Sequence, residues 1–351
     1  MKNFMGKDGF QWFVGVVEDR QDPKKLGRVR VRCLGYHSEN ISDLPTSDLP
    51  WAHPMNPVTS ATVSGLGQTP LGMVEGTWVV GFFQDADEAQ QPIIIGTLPG
   101  VPSSLPTKGA GKGFQDRLNA NYPKYTETDV NRLAVNDADN PHPSLTIRQA
   151  DRTTSIGRAN APAARSLPGD DGTNFNEPAT TYKSQYPYNH VYESEAGHIV
   201  EIDDTPNSER IHERHSTGTG YEINEFGDKV QRVKRDNYEI ISNDHFAHIK
   251  GTHNTTVDGG VRVFVNANAT ADSNYTIQVG SNANVNIQVD KGNVNVIATQ
   301  GEINMKAEDM NIDITKDFRV KAQSVNFEVN GSLKEVVTGT NTKTGNPINL
   351  N

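Results

Sequence analysis

The chain has 351 residues and a formal net charge of −10, and only 34% of its residues are hydrophobic. A chain of this length can form two or more domains. Its hydrophobic fraction is low for a protein with one compact core. Its negative charge argues against nonspecific binding to nucleic acid. One cysteine, Cys33, excludes an intrachain disulfide framework, and without an apolar signal segment or a run of about 18 apolar residues we expect assembly in a cytoplasm.

Residues 1–100 have the pattern of a small β-barrel. Phe10–Val17 predicts an apolar strand, and the segment 28–32 alternates strictly between arginine and valine. Further dense strands are predicted at Thr77–Phe83 and Pro92–Gly96, and all three tryptophans of the chain fall in this region. Several short strands separated by glycine and proline favour an OB-like barrel.

The alternating strand also predicts a surface. Val29 and Val31 are expected to face the core, which would turn Arg28, Arg30 and Arg32 outward. A basic stripe on an OB barrel has two interpretations, a nucleic-acid face or a protein-docking face. The acidity of the chain favours docking of a protein.

Residues 101–190 are polar, with prolines scattered throughout. The stretch 159–173 is rich in Ala, Pro, Gly and Asp and has little apolar surface to bury. Connections of this length without their own structure are uncommon and are usually functional or linkers. We therefore expect an extended polar connector that lies along a partner chain.

Residues 191–351 form the third region, and residues 257–330 within it carry a short apolar repeat. Apolar residues recur in pairs, two residues apart within a pair and nine residues apart between pairs. The regular members are Val285/Ile287, Val294/Val296, Ile303/Met305 and Ile312/Ile314. Alternation with a period of two indicates strands with one buried face, and one strand with one corner per unit is typical of a β-helix or solenoid.

This repeat predicts an assembly of several chains. Each unit has about two apolar side chains to bury, too few to fold alone, so the units must stack, with Ile303, Met305, Ile312 and Ile314 on the common axis. Proline is absent from 207 to 346, as expected for central strands. The alternative is an ordinary β-sandwich with polar faces.

Histidines in this region offer little for metal binding within one chain. The pairs His212/His215 and His245/His248 are each spaced by three, which places their side chains on opposite faces of a strand. In a threefold assembly, one histidine per chain facing the axis could meet its copies and bind a metal. Ordinary packed or solvated histidines are the other interpretation, and we predict no metal, no cofactor and no catalytic residue.

Several motifs, in order along the chain, resemble the central spike proteins of contractile phage tails and the related VgrG proteins of type VI secretion. In the barrel region they are Gly27–Arg32, Leu49–Ala52, Gly76–Val79 and Pro92–Gly96. Further along they are Glu127–Ala134, Tyr186–His198, Glu201–Pro206 and Arg210–His212. The last block resembles the entry to the β-helix in both groups, so the resemblance extends over nearly the whole chain.

This resemblance implies an all-β protein with an N-terminal OB-fold barrel (1–100), an extended connector (101–190) and a C-terminal triple-stranded intertwined β-helix in a homotrimer (191–351). The implied function is a baseplate central spike in the virion that pierces the host outer membrane mechanically. The implied partners are a hub ring at the barrel end, docked through Arg28, Arg30 and Arg32, and a PAAR-type tip protein, docked through Ile348 and Leu350. The alternatives are a tail-associated peptidoglycan-degrading enzyme and a type VI secretion spike.

The chain departs from the best-known phage member of the family, which carries a lysozyme domain between barrel and shaft. The active-site motif of phage lysozymes contains Glu, Asp and Thr at fixed spacing. Three pairs in this chain match its Glu and Asp: Glu39/Asp48, Glu195/Asp204 and Glu308/Asp317. The position required for Thr holds Pro54, Arg210 and Gln323 in these three cases. We therefore expect no lysozyme activity from this chain.

Overall fold

The structure is a computed structural model that describes residues 9–63, 66–99, 111–116, 182–255, 257, 259–265, 274–280 and 282–345. The chain divides into two compact units, Met1–Asn286 and Ile287–Asn351. Within the described ranges the regular structure is β-strand, with two single-turn 3-10 helices at Thr46–Asp48 and Ala86–Glu88. No helix in these ranges is long and apolar enough to cross a membrane.

Five strands near the N-terminus form a closed barrel. They are β1 (Gln11–Asp19), β2 (Val29–Cys33), β3 (Trp51–Pro54), β4 (Trp78–Phe83) and β5 (Pro92–Thr97), in the order β1-β2-β3-β5-β4. Every pair is antiparallel except β3 with β5, and β4 closes the barrel on β1. Because closure removes free sheet edges, the barrel needs no strand from another chain to complete its backbone hydrogen bonding. The prediction of an OB-like barrel is confirmed.

The barrel interior is filled by apolar side chains from all five strands. Val29 and Val31 point inward as predicted. Gly81 of β4 lies so close to β5 that a Cβ atom there would be 2.1 Å from the Ile93 carbonyl oxygen, so only glycine fits. The buried core consists of Phe13, Val17, Val29, Val31, Cys33, Ala52, Val79, Phe83 and Ile94.

The prediction that the β2 arginines face solvent is wrong for Arg32, whose side chain is completely buried. Its Nε donates to Glu18 Oε1 at 2.7 Å, and its terminal nitrogens donate to the carbonyl oxygens of Ser38 and Leu44. Segment 111–116 packs over this pair, and the Phe114 N–H donates to Glu18 Oε1 at 2.7 Å. A non-local segment therefore covers a position that strand alternation alone assigns to solvent.

A second sheet follows in the sequence. Strands β6 (Asn189–Glu193), β7 (Ile199–Asp203), β8 (Arg210–Arg214), β9 (Gly220–Ile223) and β10 (Lys229–Arg232) form an antiparallel meander in the order β10-β9-β8-β7-β6. The region predicted as 191–351 thus begins with hairpins that pair within one chain.

The rest of that region behaves differently. From 234 to 345, the described residues form no strand within the chain, and their apolar side chains are exposed. Most of the predicted connector, 101–190, lies outside the described residues. The three domain limits given above therefore stay predictions.

Candidate functional site

The five-stranded sheet has two faces of opposite character, and the covered face is charged. Arg210 of β8 is central to it: one terminal nitrogen lies 2.7 Å from Glu201 Oε1 and the other 3.1 Å from Glu222 Oε2. The Tyr182 ring lies against the guanidinium, with its centroid 4.5 Å from Cζ. The Asn189 amide also donates to Glu201 Oε1 at 2.8 Å. These contacts close the charged face within one chain.

Electrostatics within this face favour the charged form of Arg210. Burial by itself would lower the pKa of Arg210, but the carboxylates of Glu201, Glu222 and Asp203 reverse that effect and raise it. His212 adds a further contact, with Nδ1 3.2 Å from Glu201 Oε2. The ion pairs of this buried cation with surrounding carboxylates fix the positions of the side chains on the covered face of the sheet.

The opposite face of the sheet is uncovered and carries a stripe of apolar side chains among polar ones such as His190 and Glu213. Tyr192 lies across from Val200, Ile202 lies across from Ile211, and Ile211 lies across from Ile223. These partners share one face, because directly opposed residues of an antiparallel pair point the same way. Tyr192, Val200, Ile202 and Ile211 are each about half exposed or more. An apolar stripe that crosses several strands marks an interaction surface.

The nine-residue repeat supplies a second apolar surface. Ile303, Met305, Ile312 and Ile314, which were predicted to lie on a common axis, are between 45% and 71% exposed. Val285, Ile287, Val294 and Val296 are equally open. A chain in solution would not keep this series uncovered. That these residues meet at an axis stays a prediction.

The arginines of segment 28–32 are largely occupied within the barrel. Arg28 makes two bonds to the Asp22 carboxylate, the shorter 2.6 Å, and this contact holds the pKa of Asp22 well below its usual range. Arg30 donates to the carbonyl oxygens of Thr46, Ser47 and Leu49 and lies over the Trp51 ring. Docking of a hub through these arginines stays a prediction, and Arg32 has no exposed surface to contribute in the single chain.

Histidine contacts in the sheet are local. The rings of His198 and His215 are in contact, with centroids 4.3 Å apart and planes tilted by 49°, and His245 and His248 are exposed. Throughout the described ranges, no group of three or more His, Cys, Asp or Glu side chains could hold a metal ion.

The carboxylates that matched part of the lysozyme pattern have ionic neighbours. Glu39 lies 2.9 Å from Lys112 Nζ, and Glu195 lies 2.8 Å from the Arg20 guanidinium. Asp317 lies 3.0 Å from the Arg319 guanidinium.

The residues predicted to dock a tip protein, Ile348 and Leu350, lie outside the described residues. The sequence analysis did not predict the apolar face of the sheet. The alternation of apolar Val200 and Ile202 with acidic Glu201 and Asp203 could have indicated it. Sequence reasoning would assign the apolar residues to the interior of one chain. The structure instead buries Glu201, Asp203 and Arg210 and leaves Val200, Ile202 and Ile211 exposed.

A closed barrel joined to β-segments with uncovered apolar surfaces defines a structural protein that assembles with other chains. The model of the Gp5 N-terminal OB domain family matches residues 35–174. Protein Gp5 of Vibrio phage KVP40 is 41% identical over 296 residues, which cover 76% of this chain and 68% of that protein. The chain therefore belongs to the Gp5 family.

A second relative is the pre-baseplate central spike protein Gp5 of Enterobacteria phage T4. It is 37% identical over 177 residues, which cover 49% of this chain and 30% of the T4 protein. The resemblance to contractile-tail spike proteins is thereby confirmed.

Proposed function

We propose that three copies of this chain wind their C-terminal segments into one triple-stranded β-helix that pierces the host outer membrane mechanically. As a phage spike protein of the Gp5 family, the chain belongs to the tail baseplate of the virion. One observation carries the trimer: the nine-residue apolar series is about half exposed or more in the single chain, and its described residues form no strands with one another. Strands and burial must then come from other chains.

The free energy for this assembly comes from both surfaces. Each square ångström of apolar area removed from water contributes about 25 cal/mol, so every added rung of three chains strengthens the shaft. Intertwining also pairs the backbone N–H and C=O groups of neighbouring chains and leaves no long free edge. A rod built this way resists bending, which suits the transmission of force.

The apolar face of the five-stranded sheet supports the same proposal. Three sheets that turn Val200, Ile202 and Ile211 toward one another would bury the face that the single chain leaves open. The charged face is already closed by Arg210 and its carboxylates and faces outward in this arrangement. The sheets would form the base of the shaft.

The proposed partners lie at the two ends. A hub ring would dock at the barrel, using the exposed parts of Arg28 and Arg30, and a PAAR-type protein would dock at Ile348 and Leu350. Removing residues 346–351 should abolish binding of the tip protein while the trimer stays intact. One bound metal per trimer at the C-terminal end of the purified protein, with no tip protein present, would contradict this assignment.

The proposed action involves no chemical step by this chain. The three lysozyme-like pairs support this, because the position that the pattern requires for Thr holds Pro54, Arg210 and Gln323. The alternative, a peptidoglycan-degrading enzyme, predicts a cleared band in a zymogram. A cleared peptidoglycan band would favour the enzyme if it also appears with Ile303→Asp, a variant designed to disrupt only the trimer.

Light scattering tests the assembly directly. We expect a particle of three times 38.4 kDa. Ile303→Asp should prevent trimer formation, because it brings three carboxylates into an apolar axis. The control Asn304→Asp adds the same charge at the neighbouring position on the opposite side of the strand and should leave the trimer intact. A stable, folded wild-type monomer would sink the proposal.

A further inference from the structure

Arg20, just beyond the end of β1, lies between two carboxylates from distant parts of the chain. Its terminal nitrogens each approach one oxygen of Glu195 at 2.8 Å, which is a parallel two-bond contact. Its Nε lies 3.3 Å from Glu75 Oε2, and its backbone N–H donates to Glu75 Oε1 at 3.4 Å. Glu75 belongs to the barrel and is buried, whereas Glu195 belongs to the turn between β6 and β7.

The turn that carries Glu195 is held in a defined shape. Ser194 N–H donates to the His198 carbonyl oxygen at 2.9 Å, and the Ser194 hydroxyl accepts from His198 N–H at 3.1 Å. Gly197 supplies the positive φ of 82° that the turn requires. The His198 ring packs against the His215 ring in a tilted contact, and its Nδ1 accepts the Ser216 N–H at 3.2 Å. These contacts therefore hold the backbone of the turn, and with it the position of Glu195.

We infer that Arg20 is a strut that joins the barrel to the β6–β7 turn, so that the barrel and the five-stranded sheet move as one body. A guanidinium can serve both sides because its donors form a rigid planar fork. Its Nε edge is fixed by Glu75 inside the barrel, and its outer edge is matched in plane to the Glu195 carboxylate. Lysine could not make this double contact, because its ammonium is a single point charge.

The consequence is mechanical coupling across a long stretch of sequence. Load applied to the barrel would reach the sheet directly through this ion pair, independently of the polar connector between them. The pair is partly exposed, with 32% of the Arg20 side chain and 50% of the Glu195 side chain accessible, so salt should weaken the coupling.

Glu195→Gln in the full-length protein is the cleanest test. It removes only the sheet side of the contact, whereas Arg20→Ala also strands the buried Glu75 carboxylate. All three tryptophans lie in the barrel, so the urea transition followed by tryptophan fluorescence reports the barrel alone. We expect Glu195→Gln to raise the barrel unfolding equilibrium constant about two- to fivefold at low salt. At 1 M salt the difference should largely disappear.

Two further variants complete the test. Glu209→Gln removes an exposed carboxylate from the turn between β7 and β8 of the same sheet and should leave the tryptophan transition unchanged. In an Arg20→Gln background, where the pair with Glu195 is already absent, Glu195→Gln should have little further effect on the transition. The inference is overturned if Glu195→Gln and Glu209→Gln have the same transition, or if the effects of Arg20→Gln and Glu195→Gln simply add.

Discussion

Glu18 and Arg32 form an ion pair with no exposed surface on either side chain, in which Arg32 Nε donates to Glu18 Oε1 at 2.7 Å. The remaining capacity of the carboxylate is used by the Thr46 hydroxyl and the Phe114 N–H. The pair therefore ties β1 and β2 to the 3-10 turn and to segment 111–116. This pair lies at a position where the arginine side chain was expected to face solvent.

Breaking this pair should destabilise the barrel strongly. Arg32→Ala leaves the Glu18 carboxylate buried without its cation, and we expect a loss of about 3–5 kcal/mol. Replacing both partners together, Glu18→Met with Arg32→Met, should cost less, because no buried charge remains. Urea denaturation followed by tryptophan fluorescence measures both. Equal losses in the single and the double variant would contradict the assigned role of the pair.

Gly113 lies directly against the same arginine. A Cβ atom at this position would be 2.2 Å from Arg32 Nε, and Arg32 cannot yield because its donors are engaged. Gly113→Ala should therefore lower the barrel midpoint. Gly72→Ala, where a Cβ atom meets nothing within 4 Å, is the matched control and should be close to neutral. A midpoint for Gly113→Ala equal to that of Gly72→Ala would place segment 111–116 away from Arg32.

Asp22 should make barrel stability depend on acid. Its bond to Arg28 depresses the pKa of Asp22 in the folded chain, so its stabilising contribution is complete above the unfolded value of about 4. That contribution is lost as the pH falls below about 4, because unfolding then takes up a proton. The urea midpoint of the wild type should drop more steeply between pH 5 and pH 3 than that of Asp22→Asn. Parallel pH profiles would show that Asp22 does not contribute.

Cys33 should be chemically silent until the barrel opens. Burial raises the pKa of the Cys33 thiol to about 12, so on the order of one molecule in ten thousand carries the reactive thiolate at pH 8. As the only cysteine of the chain, it gives an unambiguous signal with a thiol-specific reagent. We expect no labelling in native buffer and full labelling in urea. Labelling of the native protein at the rate of an unfolded peptide would contradict the buried placement.

The apolar face of the sheet should be needed for assembly. Ile202→Lys places a charge at its centre, opposite Ile211, and should reduce the trimeric fraction in light scattering while the barrel transition is unchanged. Asn207→Asp adds a charge in the adjacent turn, where the φ of 61° suits aspartate, and should leave the mass unchanged. An intact Ile202→Lys trimer would show that this face lies outside the interface.

Local pattern was sufficient to predict the barrel. Alternation placed Val29 and Val31 inside, and the glycine and proline spacing predicted several short strands. The same alternation failed at Arg32, because its cover comes from residues about eighty positions later, and strand periodicity carries no information about such contacts.

The sheet shows a different limit of sequence reasoning. Alternation at Glu201, Ile202 and Asp203 indicates two faces but not which one the chain covers by itself. Hydrophobicity assigns the apolar face to the interior, yet Arg210 and Tyr182 close the charged face first. The nine-residue repeat was evident from the sequence, but in the proposed trimer the residues that bury it belong to other copies, which the structure of one chain does not include.

The uncovered face of the sheet imposes a constraint on biosynthesis. A single copy forms its internal salt bridges alone and exposes Val200, Ile202 and Ile211 to solvent. Exposed apolar surface favours aggregation, so assembly of the proposed trimer would compete with aggregation until this face is covered. Neighbouring ribosomes on one message would shorten that interval, which makes the timing and local density of synthesis as decisive for yield as the stability of the finished particle.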